Sequence, residues 1–342
     1  MERELLEKGP VLDREGRPVP GFSRRSILTY DRKAIGAPPW RIKEWDFYQI
    51  SNDRLCLQMT IGHAAYAGLV SLNLFDFRRG KRYLQASHIL PLPFGSLHMP
   101  ADAEEDHSLV YTHRGMPNRY HNGSIFMSFT VSGGRRVLTC RWKDLEAYIV
   151  LERRNPDSLV VNLPFDEYEH AFYYNHKINC MTAEGYVRTH RHLWEFERKD
   201  SFGILDWGRG VWPFHNEWYW SNGSGWLDGE LFGFNLGCGF GNTDMATENM
   251  LFYQGKSHKI GKVDFILGED YSKPWHFRDR EGRLDLCLMP VYDNLTRTKL
   301  LWVDNRCHQV FGRFSGTAVL DDGKVLQVRD VISFAEHAVN NW

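Results

Sequence analysis

Along most of the chain, apolar and polar residues alternate with a period of two. Leu55, Leu57, Met59 and Ile61 alternate with polar or small residues, the pattern of a half-buried strand. Val70, Leu72, Leu74 and Phe77 form a further run. Ile125–Val131 and Val137–Cys140 flank Gly133-Gly134, which predicts a β-hairpin whose turn takes positive φ. Tyr148–Glu152 and Leu159–Leu163 continue the pattern, as do Leu231–Cys238, Met250–Tyr253 and Lys262–Leu267. Glu281-Gly282 separates Trp275–Phe277 from Leu284–Met289, and Asp322-Gly323 separates Phe314–Leu320 from Val325–Val331. Asp321-Asp322-Gly323 and the tail Phe334–Trp342 suggest a final hairpin and a packed C-terminus.

These runs amount to about twenty short strands with no long amphipathic helix, an all-β chain of barrel or sandwich type. One small barrel cannot use so many strands, so two antiparallel barrels of about eight to ten strands each, packed side by side, are predicted. The first 39 residues differ. Gly9-Pro10, Pro18, Pro20-Gly21 and Pro38-Pro39 punctuate them, and proline keeps the preceding residue out of a helix. The expected division is an extended arm over 1–39, a first barrel over 40–212 and a second over 213–342.

Composition narrows the function. The 342 residues carry 42 basic and 43 acidic side chains, a balance that argues against a nucleic-acid binder or an anionic-membrane binder. No apolar run is long enough to span a membrane, and the opening MERELLEK lacks the apolar stretch of a secretory signal. The six cysteines are widely spaced without a CxxC pair. A cytoplasmic protein with free thiols, a small-molecule ligand and no cofactor is therefore expected. Aromatic residues make up 14% of the chain, suited both to strands and to pocket walls.

The densest chemistry lies in Phe202–Trp226, where Trp207, Trp212, Trp218, Trp220 and Trp226 cluster with Asp206, Arg209, His215 and Glu217. Tryptophan needs space and an acceptor for its N–H, so such a cluster reads either as an aromatic plug or as a pocket wall with acid–base groups set in it. Asp206, His215, Glu217 and Glu248 are the candidate catalytic residues. Trp207, Arg209, Trp212, Trp218, Trp220, Tyr174, His176 and Asn249 are the candidate ligand-binding residues. The run Glu44-Trp45-Asp46 reads as a solvated edge strand or as part of the same pocket. His190 and His192 share one face if they lie on a strand, but a third metal ligand is lacking and no metal is assigned. Gly237, Gly239 and Gly241 lack the Lys-Ser/Thr and the helix of a phosphate loop, and no GxSxG or HExxH is present.

Several segments carry a resemblance. LLEKGPVLDREGRP, WRIKEWDFYQISNDRLCLQMTIGHAAYAGL, LDWGRGVWPFHNEWYWSNG, TENMLFYQGKSHKIGKVDF and FSGTAVLDDGKVLQVRDVISFAEHAVNNW resemble the bacterial family called domain of unknown function 2804. More distantly, Tyr173-Tyr174-Asn175, Gly185 and Asp206-Trp207-Gly208 resemble the carotenoid hydratase and AttH-like group, although Asp206 here precedes Trp207 and His215 follows later. The resemblance implies two lipocalin-like barrels. Together, residues and resemblance suggest an acid–base enzyme of hydratase, isomerase or lyase type acting on a hydrophobic or polyhydroxylated small molecule. The alternative is a lipocalin-like carrier of a lipid or terpenoid-like ligand.

Overall fold

The computed structural model describes residues 2–64, 67–114, 124–300 and 303–341. Met1 and Trp342, which close the first and last segments read above, lie outside them. Two curled antiparallel sheets account for nearly all of the structure. The first has 13 strands. Its path runs Lys81–Pro91, Ala67–Asp76, Leu55–Ala64, Lys43–Ser51, Phe202–Val211, Tyr168–Arg188, Leu145–Arg153, Arg135–Trp142, Ser124–Ser132 and His107–Arg114. Leu159–Phe165, Leu193–Phe196 and Gly21–Ser23 attach to its side. The second sheet has nine strands. They run Lys256–Lys259, Met250–Tyr253, Glu230–Cys238, His215–Leu227, Val325–Asn341, Val303–Val319, Leu284–Leu300, Trp275–Asp279 and Val263–Ile266. The first sheet curls until its edge strands approach, with the rings of His88 and His113 only 4.4 Å apart. Among the described residues the only helices are three single 3-10 turns, and no helix is long and apolar enough to cross a membrane.

The hairpin read around Gly133-Gly134 forms as expected: Arg135 pairs with Ser132, and the two glycines take φ of 57° and 79°. The turns at Gly282 and Gly323 also use positive φ. Strand lengths were underestimated. Leu284–Leu300, Val303–Val319 and Val325–Asn341 each run 17 residues, and Tyr168–Arg188 runs 21. Bulges let one continuous strand bend, so local breaks in the alternation look like chain ends. One lies between Ile178 and Met181, where Cys180 takes φ of 61°, and another between Phe314 and Gly316. The final hairpin forms about Asp322-Gly323, where Val319 pairs with Val325, and the tail is the far end of its long second strand.

Many strands are buried on both faces. In Leu55–Ala64 the odd positions enter the core inside the first sheet, while Cys56 joins a cluster with Phe75, Phe311, Ile332 and Phe334 between the sheets. On the same outward face, Gln58 donates to Gln309 Oε1 at 2.9 Å. Each sheet also has its own interior core, centred on Leu57, Leu72, Phe129 and Leu205 in the first and on Phe232, Phe234, Trp275 and Phe314 in the second. Both curls are thus filled by side chains, and the contact between them adds a third apolar layer.

The N-terminal segment ties the halves together. Gly21–Ser23 pairs with Leu159–Phe165 of the first sheet. Ahead of it, Glu2 reaches Lys259 at 2.7 Å and Thr247 Oγ1 at 2.8 Å beside the second sheet, and Arg3 N–H donates to the carbonyl of Met245.

Candidate functional site

The layer between the sheets holds a cavity of about 200 Å³. Its first-sheet wall is Trp45 and Phe47 from one strand, Thr60 from the next, Tyr173 and Lys177 from the long strand, and Asp206. The opposite wall is Trp218, Trp220 and Glu336, with Phe240 and Glu248 contributed by the segment between two second-sheet strands. Trp212, just past the strand that carries Asp206, closes one end. The rings interlock: Trp45 lies edge-on to Trp212 at 5.3 Å, and Phe240 meets Trp212 at 5.5 Å and Trp218 at 5.2 Å. Asp206, Trp212 and Glu248 are buried on its floor, whereas Trp45, Phe47, Thr60 and Trp218 are half-buried at its rim.

Asp206 is ringed by donors. Lys177 Nζ and Asn175 Nδ2 donate to Oδ1 at 2.8 and 2.6 Å, and Trp45 Nε1 donates to Oδ2 at 3.1 Å. A glycine makes the third bond possible. A Cβ at Gly208 would lie 2.2 Å from the Trp45 ring, so only glycine lets the indole lie flat on this strand and reach Asp206. The Lys177 ammonium also contacts Tyr173 Oη at 3.3 Å, stands 4.4 Å over the Trp220 ring and lies 3.6 Å from Glu248 Oε1.

Glu248 is in a different state. Burial pushes its carboxyl above the ordinary value, opposed by Lys177 and reinforced by the negative charge of Asp206. Its Oε1 has no hydrogen-bonding partner in the protein. A second glycine seats it: a Cβ at Gly237 would lie 2.8 Å from Glu248 Oε2. Glu336, across the cavity, is likewise pushed up by burial, against hydrogen bonds from Trp218 Nε1 at 2.8 Å and Gln309 Nε2 at 3.2 Å. Burial also drives the Tyr173 phenol far up, helped by Glu248 and Asp206. The cavity therefore combines one ion pair with a buried and a half-buried carboxyl, both biased toward the protonated form. Unequal carboxyl environments of this kind separate acid from base roles.

Five of the residues expected from sequence meet here: Asp206, Trp212, Trp218, Trp220 and Glu248. The others do not. Trp207 and Arg209 point to the opposite face of their strand, where the guanidinium stacks 3.8 Å over the indole and pairs with Asp46 at 2.8 Å. Tyr174 and His176 are one position out of phase with the cavity face; Tyr174 donates to the carbonyl of Leu28, and His176 Nε2 meets Ser158 Oγ at 2.7 Å. His215 is exposed beside Asn341, and Glu217 pairs with His337 at 2.8 Å on the far face of its strand. Asn249 is absorbed in structure, accepting from Gly237 N–H and donating to the carbonyl of Gly261. The run at 44–46 is central rather than a solvated edge, and only its Trp45 faces the cavity.

His190 and His192 lie in an exposed turn and not on a strand, and among the described residues no cluster of His, Cys, Asp and Glu could hold a metal ion. Lys177, Phe47, Thr60, Phe240 and Glu336 were missed, and Tyr173 was read only as part of Tyr173-Tyr174-Asn175. The one signal for Lys177 was parity, because it stands two residues beyond Asn175 and four beyond Tyr173.

The fold is similar to several solved structures. A protein described as AttH from Nitrosomonas europaea superposes with a TM-score of 0.52 at 11% identity, over 92% of this chain and 96% of that one. Kievitone hydratase from Nectria haematococca superposes with a TM-score of 0.55 at 8% identity, over 100% of this chain and 98% of that one. CghA gives a TM-score of 0.50 at 10% identity, over 98% and 97%. At such identities the likeness shows a shared fold of two lipocalin-like barrels. No curated protein matches by sequence. The family described as "Domain of unknown function (DUF2804)" matches residues 2–342.

Proposed function

The chain belongs to the DUF2804 family, and from that premise we propose that it is an acid–base enzyme of the hydratase type, acting on a small, largely apolar molecule between its two sheets. The observation that carries this reading is the unlike pair of carboxyl groups on either side of Lys177. Glu248 is biased toward the protonated form and its Oε1 accepts no hydrogen bond from the protein, whereas Asp206 is held by three donors. A carboxylate offers about four lone-pair sites, so Asp206 keeps one on Oδ2 for a water.

In the hydration direction, Glu248 delivers its proton to one carbon of a C=C bond. Water gives a proton to Asp206 Oδ2 and adds as hydroxyl to the other carbon. The cycle closes when Asp206 loses this proton and Glu248 regains one, on either side of the Lys177 ammonium that lies 2.8 Å from one carboxyl and 3.6 Å from the other. The net change is the addition of one water. The aromatic walls exclude bulk water and hold Glu248 in the state this step requires. The likeness to kievitone hydratase agrees with this reading and supplies no residue role.

The test is isotopic. A panel of aryl and terpenoid alkenes and their alcohols is incubated with the protein in ¹⁸O-labelled water, and label in the hydroxyl product is read by mass spectrometry. Label with the natural protein, lost in Glu248→Gln and Asp206→Asn, supports the proposal. A tightly co-purifying ligand with no labelled product from any panel member would point to a carrier, a reading favoured by the donors that already surround Asp206.

A further inference from the structure

We propose that the cavity binds an uncharged molecule through an acceptor oxygen, such as a carbonyl, gripped by two donors: the Glu248 carboxyl and the Trp212 indole N–H. The inference rests on reading this cavity as the ligand site, but not on turnover.

Two cavity residues keep a buried polar atom with no hydrogen bond from the protein, although Lys177 Nζ lies 3.6 Å from one of them. They are Glu248 at Oε1 and Trp212 at Nε1. Buried polar atoms are mostly paired, and where two unpaired ones line the same cavity, a bound ligand supplies the partner both lack. An indole nitrogen can only donate. Burial biases the Glu248 carboxyl toward its protonated form, and in that form it donates as well. The matching ligand group is therefore an acceptor.

Charge gives the second constraint. Lys177 and Asp206 neutralise each other at 2.8 Å. An anion would find no unpaired cation among the described lining residues, because Lys177 is already paired with Asp206. A cation would compete with Lys177, which already occupies the Trp220 face at 4.4 Å. An uncharged ligand disturbs neither arrangement. Its body is apolar and compact, since about 200 Å³ lies below the roughly 300–1,000 Å³ usual for drug-sized ligands.

The probes are acetophenone, ethylbenzene of nearly equal shape, benzoate and benzyltrimethylammonium, titrated against the full chain by tryptophan quenching and calorimetry. Acetophenone binds at least roughly tenfold tighter than each of the others, the worth of one or two hydrogen bonds. Trp212→Phe and Glu248→Leu each reduce its affinity to the ethylbenzene level. Glu248→Gln, whose carboxamide still donates, keeps the affinity within about threefold. It also abolishes the loss of acetophenone binding that the natural protein shows as rising pH ionises Glu248 among Lys177, Tyr173, Asp206, Cys238 and Lys259.

Equal affinity for ethylbenzene, tightest binding of either charged probe, or a Glu248→Gln pH profile identical to that of the natural protein overturns the proposal. Failure of every probe to bind overturns it together with the hydratase reading. Acetophenone binding without labelled product in the isotope experiment leaves this proposal standing and removes only the catalytic one.

Discussion

Lys177 Nζ lies 2.8 Å from Asp206 Oδ1, on neighbouring strands of the first sheet in directly paired positions. Both side chains emerge on the face that meets the second sheet, where Glu248 and Trp220 enclose the ammonium from the other side. The pair is buried, so its worth depends on both partners being present.

Lys177→Met leaves Asp206 and Glu248 facing each other without a cation. Removing one partner of a buried ion pair costs about 3–5 kcal/mol, and the urea midpoint falls accordingly. In Lys177→Met combined with Asp206→Asn the loss is smaller than the sum of the two single changes. A double-mutant cycle measures that coupling; strict additivity would mean that the pair contributes nothing.

Gly208→Ala forces a methyl into the Trp45 ring. Overpacking of this kind costs about 1–3 kcal/mol and breaks the bond from Trp45 Nε1 to Asp206. Shortening the obstacle in Gly208→Ala/Trp45→Ala relieves the overpacking but not the lost bond. Thermal unfolding of the three variants separates the two effects, and stability of Gly208→Ala equal to that of the natural chain would contradict the close approach.

His176 is buried, and desolvation, with Arg153 nearby, lowers its pKa from 6.5 to about 3. Below pH 6.5 the unfolded chain binds a proton at this imidazole that the folded chain refuses. Folding stability therefore falls as pH falls from 6.5 toward 3, by up to about 1.4 kcal/mol per pH unit. His176→Gln, which keeps a partner for Ser158, shows a shallower acid limb when urea midpoints are compared between pH 7 and 4. Parallel limbs would remove His176 from the acid sensitivity.

Glu2 binds Lys259 and both the N–H and the hydroxyl of Thr247, next to Glu248. Glu2→Ala releases that anchor, and the amides of residues 245–249 exchange with solvent faster as local opening becomes easier. Lys259, lowered to about 8 chiefly by burial, loses the carboxylate that pulls it back up. Hydrogen exchange followed by mass spectrometry reads the first effect directly, and unchanged protection would show that the arm does not hold the Glu248 segment.

Much of the fold was legible. Period-two alternation, the Gly133-Gly134 hairpin and the glycine turns at 282 and 323 are local signals, and the chain obeys them. The candidate site was legible in part. Asp206 and Glu248 stood out as acids among aromatic residues and glycines, but Tyr174 and His176 were chosen where Tyr173 and Lys177 face the cavity. On a strand with one wet face, polarity reveals which parity points inward. Tyr168–Arg188 is buried on both faces over most of its length, so polarity carries no such mark, and a shift of one residue exchanges the whole set.

By itself the sequence determined the antiparallel β character, the hairpin turns and the stretch around Asp206-Trp207-Gly208 as the place to look, because each depends on neighbours within a few residues. Tertiary structure alone decided which side of each strand meets the second sheet. It brought Glu248 and Glu336 opposite Asp206 and gave Lys177 its partners. The lining joins positions up to 291 residues apart (Trp45 to Glu336) across one cavity. They follow from how two curled sheets stack, a relation that no periodicity along the chain encodes.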